Sequence, residues 1–379
     1  MQEQKYHSDW SHLFLTGWPF QTTPDEVFAQ IWVDRSTLKE QINQLVWKWS
    51  RQDRGYIQLM WSNLGAGKSH TLMHIKQHCN SHPETGILPI YTVMPKEIRG
   101  FIDVYQSIMA GIDIDLLAKM FVRAYQDAGS KKAIVSQLFP SIPDACDVLR
   151  KMQSEIDSTR RLAKEWLMGQ RLTRGQLNTL EANRYIRTSD DCVAMLCGIV
   201  HLVQITKEYR RILIMVDECQ RMWEYKLTIG QGINIGLQTW YDSSPNHLTL
   251  MLSFKCGQEK HVYKLISEDL RSRSDPPSIS LPLLTPTEAL EFVNGLFEHF
   301  GTDNRPSPLF PFSLDMVYAV LKYLTKSGGV SPRVLMHAFS ALLEDADYQI
   351  GTTGQFNMET SEAIRIIDAV IRELQDEED

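Results

Sequence analysis

The octapeptide Ser62-Asn63-Leu64-Gly65-Ala66-Gly67-Lys68-Ser69 constrains this chain more than any other stretch of its 379 residues. It follows a short apolar run, residues 56–61, and opens a helical pattern at its lysine. Strand, glycine-rich turn and helix in that order make a cradle for a phosphate chain. The glycines let successive backbone N–H groups curl around anionic oxygens, and the helix N-terminus faces the same charge. Lys68 is placed to reach the β- and γ-phosphates of a nucleoside triphosphate, and the Ser69 hydroxyl to ligate Mg2+. Ser62, Asn63, Leu64, Gly65, Ala66, Gly67 and His70 are read with them as nucleotide-binding residues. The full pattern starts with glycine, and Ser62 stands in that place here. A serine forced to positive φ would be strained, and nucleotide binding weakened. The plainer alternative is a glycine-rich strand–helix turn with no ligand.

A second motif supplies what such a loop needs. Residues 211–216 are an apolar strand, followed by Asp217-Glu218-Cys219-Gln220. An aspartate at the strand's carboxyl end would hold Mg2+ through water, and the next glutamate would act as general base on the attacking water. An acidic pair after a buried strand also caps helices, but the pairing with the loop about 150 residues upstream favours the catalytic reading.

Four apolar runs, residues 56–61, 87–93, 211–216 and 248–254, alternate with helical patterns such as 36–50, which predicts an α/β fold with a parallel sheet. About 115 residues separate Pro95 from Arg211, where a crossover needs roughly a dozen, so a helical insertion of roughly 70 to 80 residues is expected. Beyond Pro282 only helical patterns remain, over 287–300, 314–325, 332–346 and 361–374. The expected organisation is an N-terminal arm over 1–25, an α/β nucleotide-binding domain over 26–284 with its insertion at about 100–205, and a helical lid over 285–379. The arm, with Trp10, Phe14, Trp18 and Phe20, reads as extended chain packed on a neighbouring surface.

At 43% hydrophobic and 22% charged the composition is globular. No uninterrupted apolar run nears the ~18 residues that span a bilayer, and the polar start carries no secretory pattern. Six irregularly spaced cysteines point to reduced thiols and a cytoplasmic protein rather than a disulfide framework. A net charge of −7 excludes a uniformly basic nucleic-acid coat but not a local patch.

Taken together, these residues resemble the AAA+ ATPases. Asp217-Glu218-Cys219-Gln220 is similar to the Asp-Glu-Ala-Gln of the ExeA, TniB and TnsC branch, with origin-licensing ATPases as near relatives. Gly257-Gln258 follows the fourth strand as a Gly-Gln pair does there. Ser253 or Lys255 falls where that family places its polar sensor 1 residue. Asp269-Leu270-Arg271-Ser272-Arg273 and Leu281-Pro282-Leu283-Leu284 resemble the segment leading into the lid, whose arginine acts on the neighbouring subunit's nucleotide. Ser327 to Arg333 resembles the lid motif carrying the sensor 2 arginine. Pro19-Phe20, Pro24-Asp25 and Asp34-Arg35 resemble the N-terminal approach where adenine is covered. The resemblance spans about 20 to 345 and implies ATP and Mg2+ as cofactors, Arg271 or Arg273 as the residue acting in trans, and Arg333 and Arg35 at the nucleotide. Each arginine also has a plainer role, Arg271 and Arg273 at a helix C-terminus and Arg333 in an ion pair of the lid.

The stretch Ala163-Lys164-Glu165-Trp166-Leu167 through Thr173, with Asp190-Asp191, resembles part of P-loop ATPases from BREX-like phage-defence loci. That implies a prokaryotic defence or mobile-element setting. Residues 150–174 hold seven basic against three acidic residues, a candidate contact for DNA phosphates. The alternative is a charged helix face laced with pairs such as Arg161–Glu165. His70, His74, His78 and His82 recur every four residues, but that spacing drifts around the helix and cannot bring four imidazoles to one metal. Cys192 and Cys197 read as core.

The expectation is therefore a Mg2+-dependent ATPase that assembles into an ATP-dependent homo-oligomer and acts as motor or switch on DNA or a DNA-processing partner, without a membrane. The alternative is a nucleotide-gated scaffold that binds only proteins.

Overall fold

A computed structural model describes residues 10–23, 28–33, 35–224, 226–326 and 328–376. Pro24, Asp25, Asp34 and Ser327, part of the resemblance above, lie outside the described residues, as do residues 1–9 of the arm and the end of the acidic tail. The chain divides into two compact units, one of residues 41–62 and 75–280, the other of 1–40, 63–74 and 281–379.

The first unit is built on a parallel sheet of five strands: β1 (Tyr56–Ser62), β2 (Ile87–Val93), β3 (Arg211–Asp217), β4 (Leu248–Lys255) and β5 (Ile279–Ser280). Their order is β2-β3-β4-β1-β5. All seven residues of β3 are buried, as a central strand covered on both faces requires. Between β2 and β3 run seven helices, from Phe101–Ala110 to Ser189–Thr206. Helix Ser189–Thr206 is, among the described residues, the one helix long and apolar enough to cross a bilayer. A search for unbroken apolar runs passes over it because Asp190 and Asp191 open it and His201 and Gln204 interrupt it. Cys192, Leu196, Ile199 and Val203 are buried in the same core as Phe121, Phe139 and Trp166, so it is packed as a core helix.

Arg211 is fully buried at the start of β3. Its Nε donates to Trp49 O at 2.9 Å. One terminal nitrogen donates to Thr249 Oγ1 at 2.6 Å, the other to Arg54 O at 2.9 Å and to Gln52 O. Its guanidinium also lies 5.0 Å from the Tyr56 ring centroid. Burial lowers its pKa to about 10, which leaves it charged at neutral pH. Arg211→Met fills the volume but strands these buried acceptors, so urea unfolding should show a loss of at least about 3 kcal/mol. A loss below about 1 kcal/mol would mean that water replaces the guanidinium.

The second unit is helical: Pro286–Phe300, Leu314–Leu324, Pro332–Thr353 and Thr360–Asp376. Thr285 and Glu288 form a capping box on the first. Ser313 and Ser331 cap the next two. The described part of the arm belongs to this core. It makes a short turn at Ser11–Leu13, and buries Leu13, Leu15 and Phe20. The Phe20 ring lies 5.5 Å from both Phe297 and Phe339.

Candidate functional site

The loop expected to hold phosphate is shaped by its two inner glycines. Gly65 has φ +72° and Gly67 φ +96°, the left-handed region that side-chain-bearing residues rarely enter. Gly65 has a second reason to be glycine, since a Cβ there would lie 2.7 Å from the Cβ of Arg333. Ser62 carries no such demand. It is the last residue of β1, paired with Lys255 of β4, and its carbonyl accepts from Cys256 N at 2.9 Å. The serine in the first motif position is therefore free of positive-φ strain.

The outward side of the loop is held by its own unit. Gly65 O accepts from Arg333 N at 3.1 Å, in the first turn of the helix Pro332–Thr353. Ala66 O accepts from Arg35 at 2.8 Å, and the same guanidinium donates to Pro282 O at 2.5 Å. Arg35 and Arg333 thus meet the loop at two of its carbonyl oxygens. Lys68 is 5% exposed and its Nζ donates to Asn63 O at 3.1 Å. Lys68, Ser69 and His70 form the first turn of the helix Lys68–Ser81. His70 is half-buried. Burial lowers its pKa, opposed by hydrogen bonds to the backbone of Phe28 and Ile31, and beside it His74 Nδ1 pairs with Ala29 O at 2.8 Å. These two imidazoles fasten the segment before Arg35 to the helix. Among the described residues no group of three or more histidine, cysteine, aspartate or glutamate side chains is placed to hold a metal ion.

The acidic motif lies at the carboxyl edge of the sheet. Asp217 is 1% exposed. One of its oxygens accepts from Ser253 Oγ of β4 and from Glu218 N, both at 2.9 Å. The other faces the Tyr91 hydroxyl of β2 at 3.4 Å. Ser253, rather than Lys255, is therefore the sensor 1 candidate that reaches the acids. Lys255 is exposed. Glu218 adopts φ +57°, ψ 36°, a left-handed conformation that costs a side-chain-bearing residue on the order of 1–2 kcal/mol. That turn sends its carboxylate to Gln220 Nε2 at 2.7 Å and to within 3.6 Å of Arg221. Gln220 in turn accepts from Lys255 N at 2.8 Å. Tyr91, Gln220 and Arg221 were not among the sequence-based candidates. The Asp-Glu-x-Gln spacing contains the only available signal, for Gln220.

The two arginines before the lid differ. Arg273 is bonded through two nitrogens to Asp242, at 2.6 and 3.0 Å, and donates to Asp269 O. Arg271 is exposed, lies 4.1 Å from the Tyr263 ring centroid, and makes no ion pair among the described residues. In the insertion, Arg161 pairs with Glu165 at 3.6 Å, Lys164 with Asp115 at 3.1 Å and Lys151 with Glu181 at 2.5 Å. Arg150 lies 3.9 Å from Asp147, and Arg160 pairs with Asp157. Five of the seven basic residues thus face carboxylates of their own chain.

No protein-family model matches the sequence, and no curated protein does. Solved structures do. The chain is similar to the ORC2 protein of Aeropyrum pernix, solved as ADPNP–ADP complexes, with TM-score 0.54 and 10% identity over 92% of this chain and 72% of that one. It is similar to a Walker-type ATPase of Pyrococcus abyssi, with TM-score 0.51 and 12% identity over 95% and 78%. The Aeropyrum pernix ORC1 protein in complex with DNA gives TM-score 0.50 and 9% identity over 93% and 68%. Identities this low speak for fold alone, and the fold shared with these structures is α/β, a parallel sheet of five strands with added helical regions.

Proposed function

We propose that this chain is a Mg2+-dependent ATPase. The observation that carries the reading is Asp217 and Glu218 at the edge of the parallel sheet, one braced by Ser253 and Tyr91, the other turned aside by a left-handed backbone. A buried carboxylate beside one with a freer acceptor matches the division between metal holding and water activation. Residues 62–69 would bind the phosphates, with Lys68 on the β- and γ-oxygens. The Ser69 hydroxyl and the Asp217 carboxylate are hard oxygen donors of the kind Mg2+ selects, so they would hold it. The ion would neutralise charge on the triphosphate. Glu218 would accept the water's proton, Ser253 keeps the Asp217 carboxylate oriented, and Arg271 from a neighbouring copy would stabilise the transferred phosphoryl group.

The chain would then work as an ATP-dependent homo-oligomer, a motor or switch acting on DNA or a DNA-processing partner. The similar ORC1 protein was solved in complex with DNA, which supports that direction. The stretch resembling BREX-like ATPases supports a prokaryotic phage-defence or mobile-element setting in the cytoplasm. The internal pairing of the insertion's basic residues favours the second reading, a nucleotide-gated scaffold for proteins only.

One titration tests the proposal. Fluorescent ATP with Mg2+ should saturate the protein, and phosphate release per subunit should rise with protein concentration, because the site is completed in trans. Stimulation of turnover by duplex DNA supports the first reading, and indifference to DNA the second. Failure to bind any nucleoside triphosphate at millimolar concentration refutes both.

A further inference from the structure

The helical unit holds a cavity of about 690 Å3 between the arm and the helices Pro332–Thr353 and Thr360–Asp376. That is within the range of about 300–1,000 Å3 typical of ligand sites. Its wall combines aromatic, aliphatic and acidic groups: Trp18, Phe20, Ser340, Glu344, Val370 and Glu373. The indole of Trp18 is fixed. Its Nε1 donates to Ser340 Oγ at 3.1 Å, and Trp10 packs on it at 4.7 Å. Ser340, 8% exposed, donates onward to Glu344 at 3.1 Å. That bond leaves Glu344 with most of its acceptor capacity. Neither Glu344 nor Glu373 has a basic partner among the described residues.

Two carboxylates with no lysine or arginine partner among the described residues, beside a held indole, attract a positive charge, and they outnumber His337, the one imidazole in the described wall. The surroundings reinforce it. Residues 281–379 contain sixteen acidic and six basic residues, so an anion would be repelled and a cation drawn in. Phe20 and Val370 offer apolar surface along which the aliphatic stem of a lysine or arginine can lie while its head reaches the acids. The segment 21–23 also lines the cavity, is exposed, and makes no hydrogen bond among the described residues. Its main-chain donors and acceptors are therefore available to an incoming peptide backbone. This last feature distinguishes a peptide from a free polyamine, which has no amide groups to meet it.

We propose that this cavity binds an arginine- or lysine-bearing segment of a partner protein, with the cationic head between Trp18, Glu344 and Glu373. The site is independent of the nucleotide site and of the ATPase reading.

The test is calorimetric titration with a blocked tripeptide of arginine between two leucines, against the same peptide with glutamate and against spermidine. The arginine peptide should saturate at one site and weaken with salt. Glu344→Gln with Glu373→Gln should lower its affinity at least about tenfold, and Trp18→Leu several-fold. The double variant alters exposed acids, so it decides the matter even if Trp18→Leu disturbs the fold. Four results would overturn the assignment: no saturation by the arginine peptide at millimolar concentration, equal binding of the glutamate peptide, spermidine binding as tightly as the peptide, or a double variant that binds as the wild type does.

Discussion

Glu218→Gln protein is expected to bind ATP as the wild type does and to hydrolyse it roughly 100- to 10,000-fold more slowly, the range lost when a general base is removed. The amide keeps the size of the carboxylate and can still accept from Gln220 Nε2, which donates to Glu218 Oε2 at 2.7 Å. It cannot take a proton from water. Backbone strain should not confuse the result, because glutamine meets the same left-handed geometry at φ +57°. Phosphate release and fluorescent-ATP binding, measured on one preparation, separate the two effects. Loss of ATP affinity would make Glu218 a structural residue and move the water-activating role elsewhere. Unchanged turnover would remove it from the chemistry altogether.

The site was legible where side-chain chemistry and backbone demand coincide. Gly65, Gly67 and Lys68 could be read because positive φ and phosphate charge each restrict the residue type. The strands were legible through their apolar runs, β2 with its full bounds and the other three expected ones one residue short at the carboxyl end. Ser62, Asp217 and Lys255 continue the backbone ladder as polar residues, where periodicity gives no signal. That edge carries the acidic pair of the proposed site. β5 is two residues long and too short for any pattern. Arg211 was read only as the first residue of an apolar strand, yet it is an internal anchor for carbonyls up to 162 residues away, a non-local arrangement that local periodicity cannot encode.

The arginines before the lid show the same limit. Arg271 and Arg273 stand two residues apart on the short helix Glu268–Arg273, and spacing alone could not separate them. The separation comes from Asp242, which occupies two nitrogens of Arg273 from 31 residues away. An arginine already bonded to a carboxylate would have to break that pair before it served a neighbour. Arg271 is held instead by a ring. Tyr263 donates its hydroxyl to Glu259 at 2.5 Å, which also accepts from Ser278 at 2.7 Å, so the ring under Arg271 is itself fixed. Stacking orients the guanidinium without using its N–H donors, all of which remain for phosphate oxygens.

We therefore expect Arg271→Ala to lower turnover by roughly 1,000-fold or more, the scale of a lost arginine finger, with ATP affinity kept. Arg273→Ala should lower stability more than it lowers turnover, because it frees Asp242. Mixing decides whether Arg271 acts in trans. An Arg271→Ala subunit keeps its own Glu218, while a Glu218→Gln subunit keeps its own Arg271. Each is nearly inactive alone. In a head-to-tail assembly of the two, an Arg271→Ala site beside a Glu218→Gln neighbour has both groups again. Random mixing in equal amounts makes about one interface in four complete, so activity should return to about a quarter of the wild-type value. If Arg271 served only its own subunit, every site in the mixture would lack one group and the mixture would stay inactive. If Arg273→Ala were the variant rescued in this way, the Asp242 pair would be a resting state rather than a structural bond.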